Sequence, residues 1–161
     1  MIIHRVDESG FGVKEHSPED VRALVYALEG ELKRLPQVEI SIEHEFAFGL
    51  YTRKIFIPAG HALTGRLHKQ DDFQIVFSGD ISILTENGMK RFIGPATFTS
   101  KAGVKPFAYA HSDTHYATVH HTHLTDLEEI EKELFEDEAS MFDFVSGKVL
   151  QEALPCRQPS Q

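Results

Sequence analysis

The chain has 161 residues, 41% of them hydrophobic and 25% charged, the composition of a globular domain and not of a disordered, fibrous or low-complexity chain. With no break in composition it reads as a single domain over 1–161, long enough to bury about 70% of the surface its unfolded form exposes. Twenty-five acidic residues against 16 basic ones give a formal net charge of −9, the wrong sign for coating duplex phosphates, so no bulk nucleic-acid binding is expected.

In chain order, the opening Met1-Ile2-Ile3-His4-Arg5-Val6-Asp7-Glu8 has no apolar stretch of the secretory kind, and no run approaches the roughly eighteen apolar residues that span a bilayer. A cytoplasmic location without a membrane partner is therefore expected. Ser17-Pro18-Glu19-Asp20 reads as a capping serine, a first-turn proline and acids set against the positive end of a helix dipole. Val21, Leu24, Val25, Leu28 and Leu32 then recur at helical spacing up to Pro36, which predicts an amphipathic helix over 17–34 within an N-terminal segment 1–37.

From Val38 the period changes to two. Val38/Ile40/Ile42, Ile55/Ile57, Ile81/Ile83 and Phe107/Tyr109 alternate with polar or small residues, predicting a β-rich body over 38–121. Asn87-Gly88 predicts a two-residue turn between strands at 80–86 and 89–93. Pro58-Ala59-Gly60, Ser78-Gly79-Asp80, Gly94-Pro95, Ala102-Gly103 and His111-Ser112-Asp113 punctuate the rest at the spacing of a sandwich or barrel. Thr125-Asp126-Leu127-Glu128 then reads as a capping box, with Leu127, Ile130 and Leu134 as the stripe of a helix. A second acidic amphipathic helix, carrying Met141, Phe142, Phe144, Val145, Val149 and Leu150, completes C-terminal helices over 122–150, and 151–161 reads as a flexible tail. Cys156 is the single cysteine, so there is neither an intrachain disulfide nor a cysteine metal site, and a reducing compartment fits.

Gly60-His-Ala-Leu-Thr-Gly-Arg66-Leu-His68-Lys-Gln-Asp-Asp72-Phe-Gln-Ile-Val-Phe-Ser-Gly79 resembles the first motif of the cupin superfamily, G-x5-H-x-H-x3-E-x6-G, with both glycines and every spacing kept. The stretch from Gly88 to Phe107 is similar in rhythm to the second motif, and the resemblance covers about 51–120. Ile57-Pro58-Ala59-Gly60, Arg66-Leu67-His68 and Tyr109-Ala110-His111 are also similar to small single-domain cupins of phage type, which implies a host cytoplasm if the chain is viral. The resemblance implies a mainly β fold: a cupin-like double-stranded β-helix, or jelly-roll barrel, with an N-terminal helix and C-terminal helices packed outside.

The metal motif it implies is degenerate. Where the family places His, His, Glu and a later His, this chain has Arg66, His68, Asp72 and Pro106. Arg66 has no lone pair and Pro106 no side-chain donor, so only His68 and Asp72 remain, whereas stable transition-metal sites usually take three protein ligands. No cofactor is expected on this count, with a metal as the minority reading. Five of the ten histidines, His111, His115, His120, His121 and His123, fall within thirteen residues, yet five-residue spacing puts His115 and His120 on opposite faces of a strand. Which of the two looks inward is open at this stage.

Asp72, Gln74 and Val76 alternate with Phe73, Ile75 and Phe77, so both faces of this strand need cover. The resemblance implies that the first set lines the barrel with Arg66 and His68. The second would then pack on another copy, giving a homodimer or larger oligomer, or else under the 17–34 helix. The expected function is metal-independent binding of a small anionic ligand, a nucleotide-type signal among them, by Arg66, His68, Asp72 and Gln74 without turnover. An internal Arg66–Asp72 ion pair competes with that reading. The alternative is a cupin enzyme, a dioxygenase, isomerase or lyase, using His68 with or without a metal. A third reading makes the acidic run from Glu128 to Glu138 a recruiting surface for a partner.

Overall fold

A computed structural model describes residues 18–137. Helix α1 (Pro18–Leu32) is followed by strands β1 (Ile42–Ala47), β2 (Leu50–Ile57), β3 (Ala62–Thr64), β4 (Asp72–Ser78), β5 (Asp80–Thr85), β6 (Gly88–Ile93), β7 (Ala96–Ser100), β8 (Phe107–Ala110) and β9 (Thr114–His121), then helix α2 (Leu127–Leu134). The strands form a five-stranded sheet, β1-β2-β9-β4-β7, facing a four-stranded sheet, β3-β8-β5-β6, and the strands pair antiparallel. This is the expected jelly-roll. Serine 17, the second C-terminal helix and the tail lie outside the described residues, among which no helix is long and apolar enough to cross a membrane.

The period-two pattern does what it implies in β2 and β5, but in β8 the faces are exchanged: Ala108 and Ala110 turn into the core, while Phe107 and Tyr109 line the cleft beside α1. Ile57, Val76, Ile81, Ile83, Ala108 and Ala110 meet between the sheets as the core, with Leu63, Phe92, Phe98 and Tyr116 packed around them. Phe92 stacks on Phe98 at 4.3 Å, with Phe98 opposite Gln74 across β7 and β4. Gly79, the motif's closing glycine, has φ +100°, and a Cβ there would lie 2.4 Å from the Asp113 carbonyl oxygen, so no side chain fits between β4 and β5.

Four local expectations are corrected. The regular ladder begins at Ile42, so Val38 and Ile40 precede it, and Val38 is exposed. The hairpin turn is Glu86-Asn87, one residue earlier than expected, because Gly88 alone supplies the left-handed φ of +92° and already pairs with Thr85 as the first residue of β6. The cap of α2 is Asp126 and not Thr125: its carboxylate accepts from the Glu128 and Glu129 amides, both at 3.0 Å. Finally, α1 buries Ala23, Val25, Tyr26 and Glu29 and leaves Leu24 exposed. Polar anchors set that rotation: Arg22 donates to the Gly103 carbonyl at 2.9 Å, Thr64 donates to Glu29 at 2.9 Å, and the buried Lys105 ammonium lies 3.4 Å from Glu29 and over the Tyr26 ring.

Candidate functional site

Residues paired across antiparallel strands share a face. Tyr51 of β2 pairs with His120 of β9, and Phe73 of β4 pairs with Val119, which puts Asp72 on the rung beside His120. All three point inward and are buried, as are Gln74 and Val76, in agreement with the expected parity of β4. His115 points out, so the parity left open in the sequence is settled in favour of His120. The third contributor, His68, arrives from the connection between β3 and β4, where its backbone accepts from the Gly103 amide at 2.9 Å and bridges to Phe135.

The result is a buried group of two imidazoles and one carboxylate whose ligating atoms all lie within 4.8 Å of one another. His68 Nδ1 is 2.7 Å and His120 Nδ1 3.7 Å from Asp72 Oδ2. Neither His68 Nδ1 nor Asp72 Oδ2 has a hydrogen-bond partner despite being buried, since their short approach lacks hydrogen-bonding geometry. The remaining atoms are held from behind. Gln74 Nε2 donates to Asp72 Oδ1 at 2.6 Å, the Tyr116 hydroxyl donates to Gln74 Oε1, and His120 Nε2 lies 3.0 Å from Thr118 Oγ1. Each support turns one lone pair toward a common point, the job outer contacts do in metal sites.

Electrostatics keep His120 in ligating form. Burial, opposed by the Asp72 charge and reinforced by His68 and Arg53, pulls His120 from 6.5 down to about 4, so its ring is neutral near pH 7. Burial, then the Asp72 charge, pushes the Tyr116 phenol up, which keeps it a donor to Gln74. Tyr51 is also raised by burial, against the pull of Arg53.

Arg66 is placed differently from expectation. It does not meet Asp72; its Nη1 donates to Glu131 of α2 at 3.0 Å, its Nη2 reaches the Glu136 carbonyl at 3.4 Å, and its guanidinium lies over the Phe135 ring. Segment 65–68 is not a regular strand, so two-residue spacing no longer fixes direction there. The inward cation is Arg53 on β2, which the sequence reading missed together with Tyr51 and Phe135, while the sequence leaves His120 open. Strand register across β2, β9 and β4 was the missing signal.

A cavity of about 20 Å³ lined by Gln74, Ile83, Phe98 and Tyr116 has room for one water. A far larger cleft, about 1060 Å³, lies elsewhere, between α1 and the β3–β8 edge, against Leu28, Leu32, Leu63 and Tyr109. It contains none of the three buried ligating groups.

No protein-family model and no curated protein matches this sequence. Among solved structures, the salicylate 1,2-dioxygenase of Pseudoaminobacter salicylatoxidans in its adducts with gentisate is similar with a TM-score of 0.50 and 14% identity over 70% of this chain. The present chain spans about a third of that enzyme's length, 33%. A cupin domain from Bordetella pertussis Tohama I, at TM-score 0.44 and 12% identity, matches 55% of this chain and 98% of its own. The cupin domain of a transcriptional regulator of the XRE family from Enterobacter cloacae, at TM-score 0.43 and 16% identity, matches 52% and 96%. At these identities the likeness to the dioxygenase, with the sheet order above, shows the fold: a cupin-type jelly roll.

Proposed function

We propose that this chain holds one divalent transition-metal ion between His68 Nδ1, Asp72 Oδ2 and His120 Nδ1, and that this ion is the centre around which a small anionic molecule is bound. One observation carries the reading: two buried polar atoms, His68 Nδ1 and Asp72 Oδ2, lie 2.7 Å apart with no hydrogen bond, and Nδ1 of a neutral His120 faces the same oxygen. Two ring nitrogens that converge on one buried carboxylate oxygen, with no hydrogen bond between them, match the arrangement of ligands around a single metal ion. The donor set fits the group, since two imidazoles and one carboxylate suit zinc, manganese and non-haem iron(II).

This departs from the motif-based expectation of no cofactor, because β9 supplies a donor in place of the side chains absent at Arg66 and Pro106. When bound, the ion would supply a Lewis acid with positions left for an oxygen ligand. The chain's own part is to hold three donors buried and oriented, through Gln74, Tyr116 and Thr118. Whether the bound molecule is turned over is the choice between the two functions the fold accommodates, and a metal-centred enzyme is the reading this donor set favours.

Chelator-treated protein titrated with cobalt(II) or zinc should bind one ion per chain with micromolar or tighter affinity, and Asp72→Asn and His120→Ala should each lose it at least ten-fold. Failure of the intact protein to bind any of zinc, cobalt, manganese or iron(II) would sink the proposal.

A further inference from the structure

Above the three ligating residues sits a side chain the site does not need. Phe135, at the end of α2, is 3% exposed, and its ring centroid lies 5.0 Å from that of His68 and 6.0 Å from that of His120. Two guanidinium carbons stand 5.6 Å (Arg53) and 5.3 Å (Arg66) from the same ring. Arg53 Nε is buried there without a hydrogen-bond partner. In a chain of net charge −9, two arginines converge on one uncharged ring, and a buried donor of one of them goes unused.

The segment that delivers Phe135 is a strap over the barrel mouth. It is tied by two backbone bonds flanking His68, Lys69 N to Leu134 O at 2.8 Å and Glu136 N to Leu67 O at 2.9 Å, and by the half-exposed Arg66–Glu131 pair. Its buried residues, Ile130, Leu134 and Phe135, form a small cluster with Tyr51, separate from the main core. Such a unit can open without unfolding the barrel.

We propose that the strap fills a ligand seat: the Phe135 ring and the Glu131 carboxylate stand where a small planar carboxylate binds, its ring beside Arg53 and Arg66 and its oxygens on their donors. Arginine forks recognise a carboxylate and stack on a planar ring, the two features the strap imitates. This goes beyond the metal reading and needs no ion.

The test is made on chelator-treated full-length chain, so a failure of the metal proposal leaves it untouched. Benzoate is the probe, with benzyl alcohol as its uncharged counterpart, in calorimetric titrations. Wild type should bind benzoate weakly, Glu131→Gln several-fold tighter because Arg66 is freed, and Phe135→Ala at least ten-fold tighter. Arg53→Met added to Phe135→Ala should abolish that gain. With benzoate bound, amides of Ile130, Leu134, Phe135 and Glu136 should exchange with solvent faster while those of β5 and β8 do not change. Benzoate binding no tighter in either strap variant, a gain that survives Arg53→Met, or an equal gain for benzyl alcohol would each overturn the proposal. If Phe135→Ala melts at assay temperature, Glu131→Gln, which keeps the apolar packing, decides alone.

Discussion

His120 is buried beside a carboxylate and yet neutral, because loss of water around the ring outweighs the attraction of Asp72. In metal-free protein the sign of its effect follows. Between 6.5 and about 4 the unfolded chain binds a proton that the folded chain refuses, so the histidine's contribution is complete above 6.5 and is lost as pH falls toward 4. The loss attached to this one ring is about 3 kcal/mol. Urea midpoints across this range should fall steeply for wild type and less for His120→Asn, and equal slopes would show that another group is responsible. A second expectation concerns Thr118, whose hydroxyl fixes the orientation of the His120 ring. Thr118→Val should weaken metal affinity by about 10–100-fold with little change in melting temperature, and unchanged affinity would show that the ring needs no orienting. Sequence showed half of this site. His68, Asp72 and Gln74 follow from motif spacing and strand parity, but His120 belongs to a strand far along the chain, and only register decides that it faces Asp72. The resemblance places Arg66 in the barrel beside His68, whereas segment 65–68 is not a regular strand and Arg66 turns to Glu131.

At the scale of elements, two glycine-dependent turns and one cap set the frame around the site. Gly79 joins β4 to β5 at a φ only glycine adopts readily, with the backbone of Asp113 and Thr114 packed against it. Gly79→Ala should therefore cost about 2 kcal/mol or more of stability, read from chemical denaturation, and a loss under about 0.5 kcal/mol would mean that the connection shifts freely. α2 is short, and its start depends on Asp126, which takes both the Glu128 and Glu129 amides. Asp126→Ala should cost about 1 kcal/mol and expose the strap before the barrel, seen as faster exchange at Ile130 than at Ile83. An even change across both would instead tie α2 to global unfolding. Strand existence was legible where apolar residues alternate, at Ile55/Ile57 and Ile81/Ile83, and less so in β9, whose inward residues are Thr114, Tyr116, Thr118 and His120. The exact turn and cap were less so, since Asn87-Gly88 and Thr125-Asp126 each offer two adjacent residues able to do the same work, and only the dihedral of Gly88 and the reach of the Asp126 carboxylate separate them.

Among the described residues, α1 covers the four-stranded sheet's edge and α2 the barrel mouth, and neither covers the outer face of β4. The 17–34 helix, the competing cover for that face, packs instead against β3. Phe73 and Phe77 stay 57% and 48% exposed there, with Phe56 at 40% on the same side of the five-stranded sheet. Isolated exposed apolar residues are ordinary, whereas three phenylalanines on one sheet face make a contiguous apolar patch of the kind that mediates association in other proteins. We propose that a second copy of this chain is the occupant. The outward residues of β4 and β7 around Phe73 and Phe77 are Ile75, Thr97 and Thr99, which carry no charge, so two chains of net charge −9 can meet there without opposing their carboxylates. Closing such a face by a two-fold axis pairs it with itself, the commonest oligomer geometry. Light scattering at tens of micromolar should give a dimer or a larger even assembly for wild type. Phe73→Glu, which sets like charges against each other across that axis, should give a monomer that retains its metal stoichiometry, since Asp72 faces the opposite side of β4. A monomeric wild type, or a Phe73→Glu variant of unchanged size, would remove this interface.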